Sequence, residues 1–180
     1  MIPDRLETDD LRLRPFSIED ATAVFEYWQS DPGWVQYNAS VPENFSLEDA
    51  KEFVREMCAR SRTTSPNWAV LHQGHVVGVV SITFEPGHRC AVIGYGVHRK
   101  LRGRGLSGQA ASMIIDEAFC RYPALKRISA HTDAENAPSI RVLEKLGFSG
   151  QRTRRSGQPV KGSFVGEAVY GLLREDWRPG

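Results

Sequence analysis

Val97-His98-Arg99-Lys100-Leu101-Arg102-Gly103-Arg104-Gly105-Leu106 is the stretch on which the fold turns. It lies between a strand-like run and a helical pattern. Its two glycines let the backbone approach a ligand closely and point N–H groups inward. The helix that follows adds unsatisfied donors and the positive end of a dipole. Arg99, Lys100, Arg102 and Arg104 surround the loop with cations. The combination reads as a cradle for a pyrophosphate. It is not a P-loop, because Gly-x-x-x-x-Gly-Lys-Ser/Thr is absent. It is not a Rossmann fingerprint either, because the third glycine and the parallel βαβ context are missing. Taken alone, Gly-x-Gly among arginines also fits an RNA-binding Arg/Gly patch or an ordinary basic loop.

Upstream, the period is that of β-structure. Trp68 to Leu71, His75 to Phe84 and Ala91 to Val97 read as strands, with turns at Gln73-Gly74 and Pro86-Gly87. This is an antiparallel meander that runs into the loop. Downstream, Ala110, Met113, Ile114, Ala118 and Phe119 mark a helix. Arg127 to His131 is a short strand. Pro138 to Leu146 is a helix with Pro138 in its first turn, Lys145 in its last and Gly147 just beyond. Phe148 to Arg152 and Phe164 to Leu173 form a last strand pair. Towards the N-terminus, Leu11 to Arg14 is a short strand. Ser17-Ile18-Glu19-Asp20 and Ser46-Leu47-Glu48-Asp49 look like capping boxes that open two helices. Ile18, Ala21, Val24, Phe25 and Trp28 form the apolar face of the first, which Asp31-Pro32-Gly33 ends. Ala50, Phe53, Val54, Met57 and Cys58 form that of the second. The expected fold class is α/β: a mixed, mostly antiparallel sheet with helices on both faces.

Composition narrows the function classes. Of the 180 residues, 41% are hydrophobic and 25% charged, as in an ordinary globular chain. No apolar run approaches the ~20 residues that span a bilayer, so no membrane partner is expected. The acidic opening MIPDRLETDD does not read as a signal peptide. Cys58, Cys90 and Cys120 are odd in number and form no Cys-x-x-Cys pair. They read as three buried thiols in a reducing, cytoplasmic setting rather than as disulfides or a metal site. Residues 1–60 hold thirteen Asp/Glu and six Lys/Arg, net −7, and the remainder is net +8. Such an asymmetry suits two ligands of opposite charge, or is a solvated surface with no such role. A sequence pI near 7.8 counts against nucleic acid as a partner.

Asn136-Ala-Pro-Ser139-Ile-Arg-Val-Leu143-Glu-Lys-Leu-Gly147-Phe148 is more specific. Asn-x-x-Ser followed by Leu-x-Lys-Leu-Gly-Phe resembles the acetyl-CoA-binding end of the GNAT acetyltransferases. The Gly103-x-Gly105 loop resembles their pyrophosphate motif, and Ile93-Gly94-Tyr95-Gly96-Val97 the strand that leads into it. Leu6-Glu-Thr8-Asp-Asp-Leu11-Arg-Leu13-Arg14-Pro15 and Tyr170 to Trp177 resemble the opening and the closing strand of the ribosomal-protein (RimJ/RimL-like) branch. The resemblance covers nearly the whole chain, taken as one acetyltransferase domain over 1–180.

That resemblance implies acetyl-CoA as co-substrate and an amine as acceptor. It implies pantetheine bonding along the backbone at Tyr95 and Val97, and pyrophosphate bonding by the N–H groups of Arg102, Gly103, Arg104, Gly105, Leu106 and Ser107. Asn136 would bond the pantetheine amides. Ser139 would lie near the sulfur, and the strands 91–97 and 127–131 would part to admit the thioester. Three positions depart from the pattern. Lys100 replaces the motif's Gln or Arg. Leu143 stands where many relatives have a tyrosine, which leaves Ser139 as the donor to the departing thiolate. Val92 stands where relatives often have a glutamate. Glu167 is the substitute in a strand where the branch often carries an acid. Counting from Tyr170, however, the matching position is Gly166, and a one-residue offset points to the opposite face. His98 and His131 are further candidates for the base. Trp34 and Tyr37 are candidates for acceptor contact, and Glu43, Glu48 and Asp49 for attracting a cationic amine. The arginines at 152, 154 and 155 read as a solvated face that a phosphate-bearing acceptor could use. The alternatives within reach are a small-molecule N-acetyltransferase acting on an antibiotic, polyamine or amino-acid derivative, and a non-catalytic CoA-binding regulatory module. The chain is expected to be a monomer or homodimer.

Overall fold

The computed structural model describes residues 1–29, 44–155 and 166–179, without the side chains of 153–155. The expectations for Asp31-Pro32-Gly33, Trp34, Tyr37, Glu43 and Phe164 lie outside the described residues. Eight strands form one sheet: β1 (Leu6–Glu7), β2 (Arg12–Arg14), β3 (Asn67–His72), β4 (His75–Phe84), β5 (Cys90–Val97), β6 (Arg127–Asp133), β7 (Ser149–Arg155) and β8 (Gly166–Leu173). Their spatial order is β1-β2-β3-β4-β5-β6-β8-β7. Every neighbouring pair is antiparallel except β5 and β6. The described helices are α1 (Ala21–Gln29), α2 (Leu47–Ala59), α3 (Leu106–Arg121) and α4 (Ala137–Lys145). The expected mixed sheet is therefore present.

Side-chain alternation divides the core into two layers. Trp68, Val70, Val80, Ile82, Ala91, Ile93, Ile128 and Ala130 pack on one face with Ala110, Ile114, Ala118 and Phe119 of α3 and Leu143 of α4. Ala69 and Leu71 pack on the other with Val24, Tyr27 and Trp28 of α1 and Ala50 and Val54 of α2. The second layer is richer in rings: Trp28 meets Phe53 at 4.3 Å and Phe45 at 4.9 Å between centroids. Helices thus cover both faces.

Capping fixes where the helices start. Ser46 accepts from the backbone N–H of Asp49, while the Asp49 carboxylate accepts from the N–H of Ser46. At the 3-10 turn Ile18–Asp20 only half of such a box is made: the Asp20 carboxylate accepts from the Ser17 N–H, while the Asp20 N–H donates to the Ser17 carbonyl and not to its hydroxyl, and the Arg14 guanidinium grips Asp20 with two 2.7 Å bonds. Because the first turn is 3-10, Ile18 swings off the apolar stripe and is 57% exposed, contrary to the helical spacing expected of it. The cysteines also differ from expectation. Cys58 and Cys120 are exposed and Cys90 is only partly covered. On α2 the buried stripe is carried by Ala50 and Val54, and position 58 falls at its edge, where its thiol donates to the Phe16 carbonyl.

Candidate active site

β5 and β6 are hydrogen-bonded from Cys90↔Arg127 to Ile93↔Ala130. Beyond that pair β5 runs on to Val97, held on its other side by β4 as far as Val97↔Gly78. β6 runs on to Asp133, held by β8 as far as Asp133↔Glu167. The ladder between the two central strands therefore stops halfway, and the Gly94–Val97 edge of β5 faces the opening. Backbone donors and acceptors along such an edge suit a ligand that binds as a strand would. This is the slot expected between the strands.

At the end of β5 the chain enters the quoted loop. His98 closes a 3-10 turn at Arg99–Leu101 by accepting from the Lys100 N–H at 3.1 Å, and its ring lies 5.3 Å from that of Tyr27 on α1. Gly103 and Gly105 both have φ of +81°, the left-handed region that L side chains rarely adopt. A Cβ on either would meet no atom within 4 Å, so the space above both is open. Gly105 is the N-cap of α3 and provides no side-chain cap. The first intrahelical bond runs from the Gln109 N–H to the Gly105 carbonyl. The N–H groups of Leu106, Ser107 and Gly108 thus precede the helical ladder and point out of the helix start. Leu106 buries its side chain in the core and offers only its backbone. Arg102 and Arg104 are exposed beside it. These features fit a pyrophosphate.

The second helix start behaves differently. The Asn136 side-chain oxygen accepts from the Ser139 N–H at 3.2 Å, so Asn136 is the cap of α4 and Ser139 sits in its first turn as a capped residue. The Ser139 hydroxyl is thereby left for another use. The Tyr95 hydroxyl lies 3.4 Å from it and donates to the Ser139 carbonyl at 3.2 Å. Burial pushes the Tyr95 phenol up to about 12, opposed in part by the Ser139 bond, so the phenol keeps its proton. Leu143 is fully buried in the core layer under α4 and has no part in the opening.

On the opposite face, Val92 pairs with Ser129. Two residues further along β6, His131 holds the Glu167 carboxylate at 3.0 Å through Nδ1. Both side chains are 42% exposed. Glu167 faces away from the α3 and α4 layer, as the odd spacing from Tyr170 requires: Tyr170 pairs with Ala130, Glu167 with Asp133. Of the acids expected to attract an amine, Glu48 is engaged by Lys51 and Arg55, which lower its pKa, with the Lys51 bond the larger cause. Asp49 is likewise lowered by its Ser46 bonds. The structure thus brings Tyr95, Val97, the 102–107 loop, Asn136 and Ser139 to one side of the opening and Glu167 to the other. The Tyr95–Ser139 and His131–Glu167 contacts were not foreseen. They join residues 44 and 36 positions apart, and only the alternation of Arg127 to Asp133 signalled which way His131 points.

Comparison with known proteins agrees with this geometry. A family model described as acetyltransferase (GNAT) domain matches residues 10–149. The uncharacterised N-acetyltransferase p20 of Bacillus licheniformis is 27% identical over 177 residues, spanning 97% of this chain and 98% of its own length. A GNAT-family acetyltransferase structure from Bacillus anthracis superposes with a TM-score of 0.81 at 28% identity, covering 95% of this chain and 99% of that one. RimL, the ribosomal L7/L12 α-N-protein acetyltransferase solved with coenzyme A, superposes at 0.82 with 19% identity, covering 96% and 97%. The strand opening, the uncapped helix start and the matched model together show that the chain belongs to the GNAT acetyltransferases, acyltransferases that use acetyl-CoA as co-substrate.

Proposed function

We propose that this N-acetyltransferase acts on an α-amine, such as a protein N-terminus, in the manner of the ribosomal-protein (RimJ/RimL-like) branch. The observation that carries the reading is the slot between β5 and β6, with a donor-rich helix start at one end and the Tyr95–Ser139 hydroxyl pair on its wall. The likeness in fold to the L7/L12 enzyme supports it. So does the chemistry of the amine. An α-amino group, with a reference pKa of ~7.7–8.0, is roughly a tenth or more free base near neutral pH, against well under one per cent for a lysine at ~10.4. With Val92 in place of a carboxylate, a readily deprotonated acceptor suits the site better.

In this reading the backbone at Tyr95 and Val97 binds the pantetheine arm. The N–H groups from Arg102 to Ser107 bind the pyrophosphate, with the dipole of α3 favouring its charge. The nitrogen of Asn136 is available to a pantetheine amide while its oxygen caps α4. The amine attacks the thioester carbonyl directly. As the C–S bond breaks, the Ser139 hydroxyl donates to the forming thiolate, near the positive end of the α4 dipole. Tyr95 holds Ser139 in place.

The test is thiol release from acetyl-CoA with matched peptides that carry either a free N-terminus or a single lysine, beside polyamines and amino-acid derivatives. Faster release with the N-terminal peptide is expected. A clear preference for lysine or for the small amines overturns the α-amine assignment.

A further inference from the structure

We propose that His131 is the proton acceptor of the reaction and that Glu167 is the residue that positions it. The proposal rests on the acetyl transfer proposed above and assigns it a base. Three observations lead there. The β5 residues at the parting of the strands on this side are Val92 and, beyond the last ladder pair, Gly94, neither of which can take a proton. His131 stands two residues past Ser129, the partner of Val92, where the strands have parted, and its side chain is 42% exposed. Its Nδ1 lies 3.0 Å from the Glu167 carboxylate. A carboxylate acceptor makes Nδ1 the donor, and in the neutral imidazole Nε2 then carries the lone pair. That nitrogen is the basic atom.

The two strands place the reacting groups on opposite sides of the opening. Tyr95 and Ser139 stand on the side of α3 and α4, His131 and Glu167 on the other. As the amine nitrogen bonds to the carbonyl carbon, its proton passes to Nε2 of His131. The C–S bond then breaks, and the thiolate, held by the hydrogen bond from the Ser139 hydroxyl, takes its proton from solvent. The imidazolium returns its proton to solvent. The charged groups at neighbouring register positions are Glu167, Asp133 and, from β7, Arg152 and Arg154.

The experiment measures kcat/KM against pH for the full chain with acetyl-CoA and a peptide bearing a free N-terminus. His131→Gln is expected to lower kcat/KM by on the order of a hundredfold and to abolish the acid limb of the profile. Melting temperature and acetyl-CoA affinity stay near the wild type, because the side chain is part-exposed and away from the loop. His131→Asn serves as a second variant. Glu167→Gln should lower the rate less and displace the acid limb, and Glu167→Asp should restore part of both. Histidine variants as active as the wild type, with an unchanged profile, overturn the assignment. A wild-type protein that acetylates no amine of the panel overturns the proposed function instead, and the two failures are told apart by the wild-type rate alone.

Discussion

α3 and α4 both begin beside the opening, yet their first turns are finished in different ways. α3 starts at Gly105 with no side chain to cap it, and a side-chain carbon at Gly103 or Gly105 would meet only open space. α4 starts at Asn136, whose oxygen takes the Ser139 N–H. The described start of α2 is closed likewise, by Ser46 and Asp49. Unsatisfied donors at a helix start normally find a side chain. Where one start is left bare, and two left-handed glycines keep side chains off it, the geometry suits an anionic ligand. In the proposed reaction the bare start binds the pyrophosphate and the closed one orients Ser139.

Breaking the bare start has the largest expected effect. Gly103→Asp puts an L side chain at a φ of +81° and a carboxylate where the proposed pyrophosphate site lies. Calorimetry should find acetyl-CoA binding abolished, with the sheet's circular dichroism intact. Unchanged affinity would break the comparison at its root.

Ser139→Ala and Asn136→Ala then separate orientation from capping. Because Asn136 is the cap, Ser139→Ala should leave melting nearly unchanged, yet lower kcat by on the order of a hundredfold if the hydroxyl serves the thiolate. Asn136→Ala should cost about 1 kcal/mol of stability through the lost cap. A Ser139→Ala protein that turns over normally removes Ser139 from catalysis.

The smallest effect sharpens the role of Tyr95. Its folded pKa lies above the unfolded value of about 10 and is pushed up to about 12. Between these values the native state keeps a proton that the unfolded chain has lost, so stability falls as pH rises through that window and is fully present below it. Tyr95→Phe should flatten this alkaline decline in denaturant titrations and leave neutral pH little changed. A decline equally steep in the variant would show that other groups cause it.

Much of this was legible in the sequence because it depends on neighbours along the chain. The alternation from His75 to Phe84 gives β4 its bounds; the Ser46 box is a full cap, whereas at Ser17 only the Asp20 carboxylate closes back on the backbone. The Gly103-x-Gly105 loop is a local backbone property and was readable as such. β1 was missed because two residues carry no period. The fates of Ile18 and the cysteines depend on where a helix rolls against the sheet. The Tyr95–Ser139 and His131–Glu167 contacts depend on register between distant strands and helices. Glu167 faces away from the α3 and α4 layer, and only the structure shows His131 beside it.

Arg174 carries a consequence for how the chain reaches this state. Its guanidinium donates to the carbonyls of Phe119, Tyr122 and Leu125, which end α3 and follow it, and it lies 4.9 Å above the Phe119 ring. The helix that begins at the ligand loop is thus finished by a residue some fifty positions later. The Phe119 carbonyl in its last turn has no backbone donor, because residue 123 is proline, and takes its hydrogen bond from Arg174 only once the chain after β8 has docked, a long-range closure of the kind that slows folding. During synthesis the first turn of α3 can form long before its last is sealed; the seal waits for the residue that follows the C-terminal strand.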